Sequence, residues 1–207
     1  MAVTKPVDIF ANKDLREAVR SYVDAPDDAL DNLFEKMKRR SVRKNEHLIK
    51  QGEQPAAFIL IERGVLMTYF TDASEYDHVL MFGFSGWWTG DIKGITQNMA
   101  SDYSVKALTD AEVYELDNNS FELICRQHPI FDRYFRKIFQ NSLVTHQKRI
   151  MRQISTNAEE KYRVFRARFP KIELVVAQKH IASYLGITPE FFSALRKKMN
   201  TADTRKG

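Results

Sequence analysis

Cysteine is nearly absent. Cys125 is the one cysteine in 207 residues, which excludes an internal disulfide, a cysteine-ligated iron–sulfur cluster and a thiolate zinc site. No apolar run reaches the ~18 residues needed to cross a bilayer. The N-terminal stretch MAVTKPVDIFANKDLREAV lacks the continuous apolar core of a signal peptide, so a cytoplasmic protein with no membrane partner is expected. His47, His78, His128, His146 and His180 are scattered without paired metal-ligand spacing. There is no phosphate-binding P-loop, no G-x-S-x-G nucleophile elbow and no His/Glu metal motif. No catalytic residue, metal, haem or iron–sulfur cluster is expected, and the chain does not read as an enzyme.

Positive charge is outnumbered at the front and in large excess at the back. From His128 onward 17 Lys and Arg face 6 Asp and Glu, a net of +11, whereas residues 1–127 carry 15 against 21, a net of −6. A basic C-terminal third behind an acidic front fits a nucleic-acid reader joined to a regulatory unit. Solvated helix faces alone do not explain the change of sign.

Three regions follow from patterning. Over residues 13–40, Leu15, Ala18, Val19 and Tyr22 form one apolar stripe, and Leu30, Leu33, Phe34 and Met37 another. Asp24-Ala25-Pro26-Asp27 separates them and opens the second helix with proline and acids. Residues 41–117 hold short β-type runs between turn signals: His47–Lys50, Phe58–Ile61, Val65–Thr71, His78–Phe84, Tyr103–Ala107 and Val113–Leu116, with one helical turn near 91–98. Such spacing indicates an antiparallel double-layer β fold of jelly-roll type. Helical spacing then returns at Phe121 and Ile124 and runs on past Pro129 through Phe131, Phe135, Ile138, Phe139, Leu143, Ile150 and Ile154. A helix of ~25 residues is ~38 Å long. It either packs wholly on its own β layer or, as its surplus apolar surface favours, associates with a second copy. Thr156-Asn157-Ala158-Glu159 reads as a capping box for one more helix to about Arg168.

The segment QKHIASYLGITPEFFSALRKKM, from Gln178 to Met199, has the spacing of a helix-turn-helix. Ala182 is small where two helices cross, Gly186 supplies a positive φ at the turn, and Thr188-Pro189 starts the second helix. Phe192, Leu195 and Met199 mark its buried face; Glu190, Ala194, Lys197 and Lys198 lie off it. The same spacing also suits an αα-hairpin in a helical core, but the surrounding charge favours DNA. Asn200–Gly207 has the composition of a frayed tail.

With these pieces in order, the chain resembles the Crp–Fnr family of bacterial transcription regulators over roughly residues 30–199. The most specific matches are Gln51-Gly52-Glu53, the Gly64 turn, Gly86-Trp87-Trp88-Thr89-Gly90-Asp91, Glu112-Val113, His128-Pro129 and IASYLGITPE from Ile181 to Glu190. The last piece looks most like a subgroup whose ligands are often unassigned. The resemblance implies an α+β protein with three parts. Residues 1–127 would form an antiparallel β-roll (jelly roll) sensor domain of cyclic-nucleotide-binding type with its N-terminal helices. Residues 128–155 would form a long dimerisation helix, and 156–207 a winged helix-turn-helix. It also implies a homodimer on a two-fold symmetric double-stranded DNA site, a small-molecule effector of unknown identity, and RNA polymerase as a further partner.

In that family a Gly-Glu pair and an Arg-Ser pair about ten residues later hold cyclic AMP by its ribose and phosphate. Ungapped, Gly90-Asp91 and Ser101-Asp102 stand there. Asp91 keeps a carboxylate one methylene short. Ser101 carries no charge, and Asp102 brings a negative one to the phosphate position. Losing a guanidinium–phosphate pair costs ~2–5 kcal/mol, ~30- to 4,000-fold in affinity, so tight cyclic AMP binding is not expected. Trp87 and Trp88 either line a pocket or pack the fold. His146 and Gln147 fall where the family presents polar groups to the ligand base; they contact a ligand or interrupt the dimer seam.

On the DNA side the resemblance assigns phosphate contacts to Gln178, Lys179 and Thr188, and base reading to Glu190, which accepts from a cytosine amino group. Ala194 stands where better-known members carry arginine, and Pro189 offers no side-chain hydrogen bond, so their consensus does not transfer. Lys197 is a further base or phosphate contact. The expected function is a dimeric, sequence-specific transcription regulator whose roll senses an effector. The alternatives are a true cyclic-nucleotide-gated regulator with a non-standard cassette, and a sensor or scaffold acting through protein contacts.

Overall fold

The computed structural model describes residues 6–204. Two short helices come first, α1 (Leu15–Arg20) and α2 (Asp27–Glu35). Asp14 caps α1 by accepting from the Arg16 and Glu17 amides. The roll follows with β1 (Lys38–Val42), β2 (His47–Ile49), β3 (Ala57–Arg63), β4 (Leu66–Thr71), β5 (Asp77–Gly83), β6 (Trp88–Thr89), α3 (Ile92–Gln97), β7 (Ser104–Ala107) and β8 (Ala111–Asp117). Helices then take over: α4 (Asn118–Gln127), α5 (Ile130–Ser155), α6 (Ala158–Arg168), a 3-10 turn at Ile172–Leu174, α7 (Gln178–Leu185) and α8 (Pro189–Thr204). The fold is α+β, as expected.

Two antiparallel four-stranded sheets, β1-β8-β3-β6 and β2-β7-β4-β5, face each other. Alternation decides what each residue meets. Ile59 and Ile61 of β3 point between the sheets to Leu66, Val105 and Val113, while Leu60 points out to the N-terminal helices, Leu116 and Phe131. Because both faces of β3 and β4 are covered, each reads as a continuous apolar run rather than an alternating one. Gly64 turns the chain between them at φ 98°, and a Cβ there would lie 2.7 Å from the Ala111 Cβ, so only glycine fits.

A third core joins the roll to the C-terminal helices. Met67, Val79, Phe82 and Phe84 pack with Tyr162, Phe165, Ile181, Leu185 and Phe192, all buried. β5 is an edge strand, and α7 lies against its open side. There Ser183 Oγ accepts from the Val79 amide at 2.9 Å and donates to the Asp77 carbonyl at 2.7 Å. The Arg149 guanidinium donates to the carbonyls of Val79 and Leu80, the latter standing at a bulge in the β4–β5 register.

Several elements differ from the sequence expectation. β1 and the two-residue β6 were not visible in the pattern. The helix start after residue 155 lies one residue later than the capping box: Asn157 caps α6 by accepting from the Glu160 amide at 2.9 Å, while the Thr156 hydroxyl closes α5 onto the Arg152 carbonyl. No strand follows β8 among the described residues, so the helix-turn-helix carries no wing there. Phe169, Ile172 and Val176 are buried between α6 and α7, which pins that linker to the core, and α8 runs through the residues a later hairpin would use. The expected frayed tail is likewise helical to Thr204; 205–207 lie outside the described residues.

Candidate functional site

Three places carry candidate residues: the loop of α3, the junction between roll and α5, and the helix-turn-helix.

At the first, Asp91 is 3% exposed and already fully engaged. One carboxylate oxygen accepts from the Gly94 amide at 3.1 Å, capping α3. The other accepts from Ser101 Oγ at 2.8 Å and from the Asp102 amide at 3.3 Å. The Tyr103 hydroxyl donates to the Gly90 carbonyl at 2.9 Å. Asp102 turns outward and pairs with Lys93 on the surface, where such a pair is worth little. Gly90, Asp91, Ser101 and Asp102 are therefore brought together, but they satisfy one another. No cation stands among them to meet a phosphate; Lys93 is drawn to Asp102. Asp91→Asn should turn an amide donor toward the Ser101 hydroxyl and the Asp102 amide. It is expected to cost about 2 kcal/mol, or roughly 4–8 °C in Tm by calorimetry, with cyclic AMP binding unchanged. A variant with unaltered Tm would refute the structural role.

At the second place, α5, β5 and the end of α6 enclose a cavity of about 300 Å³. His146 lines it, but Gln147, next along the helix, does not. Gln147 is exposed on the stripe that carries Leu143, Ile150 and Ile154. Trp87 and Trp88 both border the cavity, and Trp88 also donates from Nε1 to the Tyr134 hydroxyl at 2.9 Å. Arg149 and Arg168 line the wall and were missed in the sequence, where nothing sets two arginines apart in a basic segment. Burial lowers the basicity of both below the ordinary arginine value. Cys125 lies elsewhere, and burial pushes its thiol up to about 12, so it is an inert core group.

At the third, α7 and α8 cross through Ala182, Leu185, Phe192 and Leu195, all buried. Gly186 sits at φ 70°, and the Ile187 amide closes onto the Ala182 carbonyl at 3.1 Å. The Thr188 hydroxyl accepts from the Phe191 amide at 3.2 Å and caps α8, with Pro189 first in the helix. Glu190, Ala194 and Lys197 are exposed along one face of α8, and Lys179 and Gln178 are exposed at the start of α7. The Gln178 side-chain oxygen, in the amide orientation that suits its neighbours, accepts from Arg196 at 2.8 Å, which leaves its nitrogen to donate. Phe191 is 54% exposed beside Glu190 and was not singled out in the sequence.

Residues 39–128 match the family model described as the cyclic nucleotide-binding domain. The roll is thus similar to a cyclic nucleotide-binding domain. No curated protein sequence matches the chain. Among solved structures, FixK2 from Bradyrhizobium japonicum is similar at 17% identity, covering 81% of this chain and 86% of that one with a TM-score of 0.70. The c-di-GMP-responsive global regulator CLP from Xanthomonas campestris covers 86% of this chain and 93% of its own at 12% identity, TM-score 0.70. The catabolite activator protein of Thermus thermophilus covers 90% and 88% at 14% identity, TM-score 0.55. The roll, the long helix and the C-terminal helices thus follow the fold of Crp–Fnr regulators along nearly the whole chain. No described helix is long and apolar enough to cross a membrane.

Proposed function

We propose that this protein is a dimeric, sequence-specific DNA-binding transcription regulator whose roll senses an effector other than cyclic AMP. The observation that carries the reading is the free face of α8. Glu190, Ala194 and Lys197 are exposed while Phe192 and Leu195 hold the opposite face in the core. A helix anchored in that way presents side chains to a major groove. The excess of Lys and Arg after residue 127 supplies the phosphate-directed charge.

Gln178, Lys179 and Thr188 take phosphates in this reading. Support comes from the start of α7, which has no side-chain cap and so leaves amides open toward an anion. Glu190 reads a cytosine amino group, and Ala194 with Phe191 offers apolar contact to a thymine methyl. Pro189 only starts the helix.

Residues 1–127 are the sensing part, 128–155 the dimerisation helix and 156–207 the DNA-binding part. Leu143, Val144, Ile150, Met151 and Ile154 are exposed on α5, and Gln147 falls within that stripe. Apolar residues at heptad-like spacing with one polar interruption suit a two-helix seam in which the polar residue sets register. A self-satisfied Asp91–Ser101 pair supports the exclusion of tight cyclic AMP binding.

The test is fluorescence anisotropy with DNA from upstream of the protein's own gene, against scrambled competitor. Competitor-resistant, salt-sensitive binding is expected; binding to neither DNA at any salt would overturn the reading. Glu190→Ala should relax preference at one base per half-site, by ~1–3 kcal/mol of discrimination, while Lys197→Ala should weaken all sites more evenly. Identical profiles for the two variants across a panel of sites would refute these roles.

A further inference from the structure

The cavity beside α5 is electropositive and unbalanced. None of its lining residues is Asp or Glu, yet Arg149 and Arg168 both face it. Neither arginine makes an ion pair among the described residues. Arg149 spends its terminal nitrogens on the carbonyls of Val79, Leu80 and Tyr184, and its Nε is buried without any partner. A buried cationic donor left open is costly unless an acceptor reaches it. The Arg168 guanidinium lies 6.0 Å from the centre of Trp87 and 5.4 Å from that of Phe169. Arg152 and Lys161 join both arginines around the small adjoining recess.

The α5 side of the wall is polar, with Asn141, Ser142, Thr145 and His146, and the facing side is aromatic. Phe82, Trp87, Phe169 and Tyr184 supply aromatic faces, and the volume of about 300 Å³ lies at the lower end of small-ligand pockets.

We propose that this cavity is the effector site, and that it takes a small organic anion, a carboxylate or phosphate attached to a flat ring, with the anion on Arg149 and Arg168 and the ring against Trp87 and Phe169. This rests on the reading of the roll as a sensor, but places the ligand away from the Asp91–Ser101 loop. The ligand would touch β5, α5 and the end of α6 together. It would therefore bias how the helix-turn-helix sits on the roll, since Arg149 also holds Tyr184 of α7.

The probe is 8-anilinonaphthalene-1-sulfonate, an anion on flat rings, set against N-phenyl-1-naphthylamine, which has the same rings and no charge. Titration of the full chain should show saturable binding of the sulfonate, at least about tenfold tighter than the neutral amine. Arg168→Gln should remove most of that preference and leave the amine unchanged. Arg168 makes no side-chain hydrogen bond among the described residues, and an unchanged Tm checks that the fold does not depend on it. Sulfonate binding no tighter than the amine, or unaffected by Arg168→Gln, would overturn the proposal. Benzoate and phenyl phosphate as competitors then separate carboxylate from phosphate. Displacement by cyclic AMP at low micromolar concentration would also overturn it. DNA anisotropy without probe reads the regulator function separately, so a failed pocket and a failed regulator give different results.

Discussion

Glutamate at both Leu143 and Ile150 is expected to hold the protein as a monomer at micromolar concentration and to weaken a two-fold DNA site at least ~100-fold. Both side chains are 59% exposed on α5, and Ile154 is 82% exposed. Phe139, Leu143, Gln147, Ile150 and Ile154 follow one another at steps of four, four, three and four, the spacing of a coiled-coil seam. At 26 residues α5 is about 39 Å long, and its first half packs on the N-terminal helices and β3 while this later stripe is largely exposed. Two glutamates there leave the monomer surface solvated but put unpaired charge into a seam. A monomer engages one half-site and forfeits the gain from linking two. Size-exclusion chromatography with light scattering gives the oligomeric state, and anisotropy gives the affinity. A double variant that stays dimeric would remove the stripe from the interface.

Lowering the pH from 7 to 5 should destabilise the protein, chiefly through His180. This side chain is 7% exposed at the base of α7, and burial, with Lys179 and Lys106 adding to it, holds its pKa down to about 4; Asp77 opposes the shift. The unfolded chain titrates near 6.5, so below that pH the unfolded state binds the extra proton. Stability is thus complete above about 6.5 and falls as pH drops toward 4, by up to about 3 kcal/mol over the full window. His47 and His146 are shifted the same way by burial, and add to the slope. Carboxylates such as Asp72, held low by His78 first and Ser74 next, contribute loss only at more acidic pH. Urea unfolding at pH 7 and pH 5 measures the difference, and His180→Leu should flatten most of it. An undiminished slope in that variant would assign the effect elsewhere.

The parts that read well in the sequence are those settled by near neighbours. Gly186 with Thr188-Pro189 announces a turn and a helix start within four residues, and the structure places both as expected. The long helix after His128-Pro129 is carried by its own periodicity. β1 was invisible because Lys38-Arg39-Arg40-Ser41-Val42 has one buried residue; its strand state comes from pairing with β8 and from ion pairs such as Arg40 with Glu46 and Glu115. β6 is two residues long and exists only against Leu60 and Ile59. Spacing could place Asp91 and Ser101 in a cassette but could not show that they bond to each other. Arg149 and Arg168 meet only because α5, α6 and β5 pack together, a tertiary fact with no local signature. His146 and Gln147 were inseparable in the sequence; a rotation of about 100° per residue sends one to the cavity and the other to the stripe.

The covering of β5 has a consequence for the molecule in motion. An edge strand normally invites another strand to add to it. Here the cover is a serine hydroxyl and a guanidinium carried by helices, both of which let go without breaking a sheet. Any excursion of α7 bares the Val79 amide to solvent deuterium, so the exchange rate of that single proton is a clock for the excursion. The same event uncovers a sticky margin. Whatever keeps α7 seated therefore also shields that strand edge from pairing with another strand.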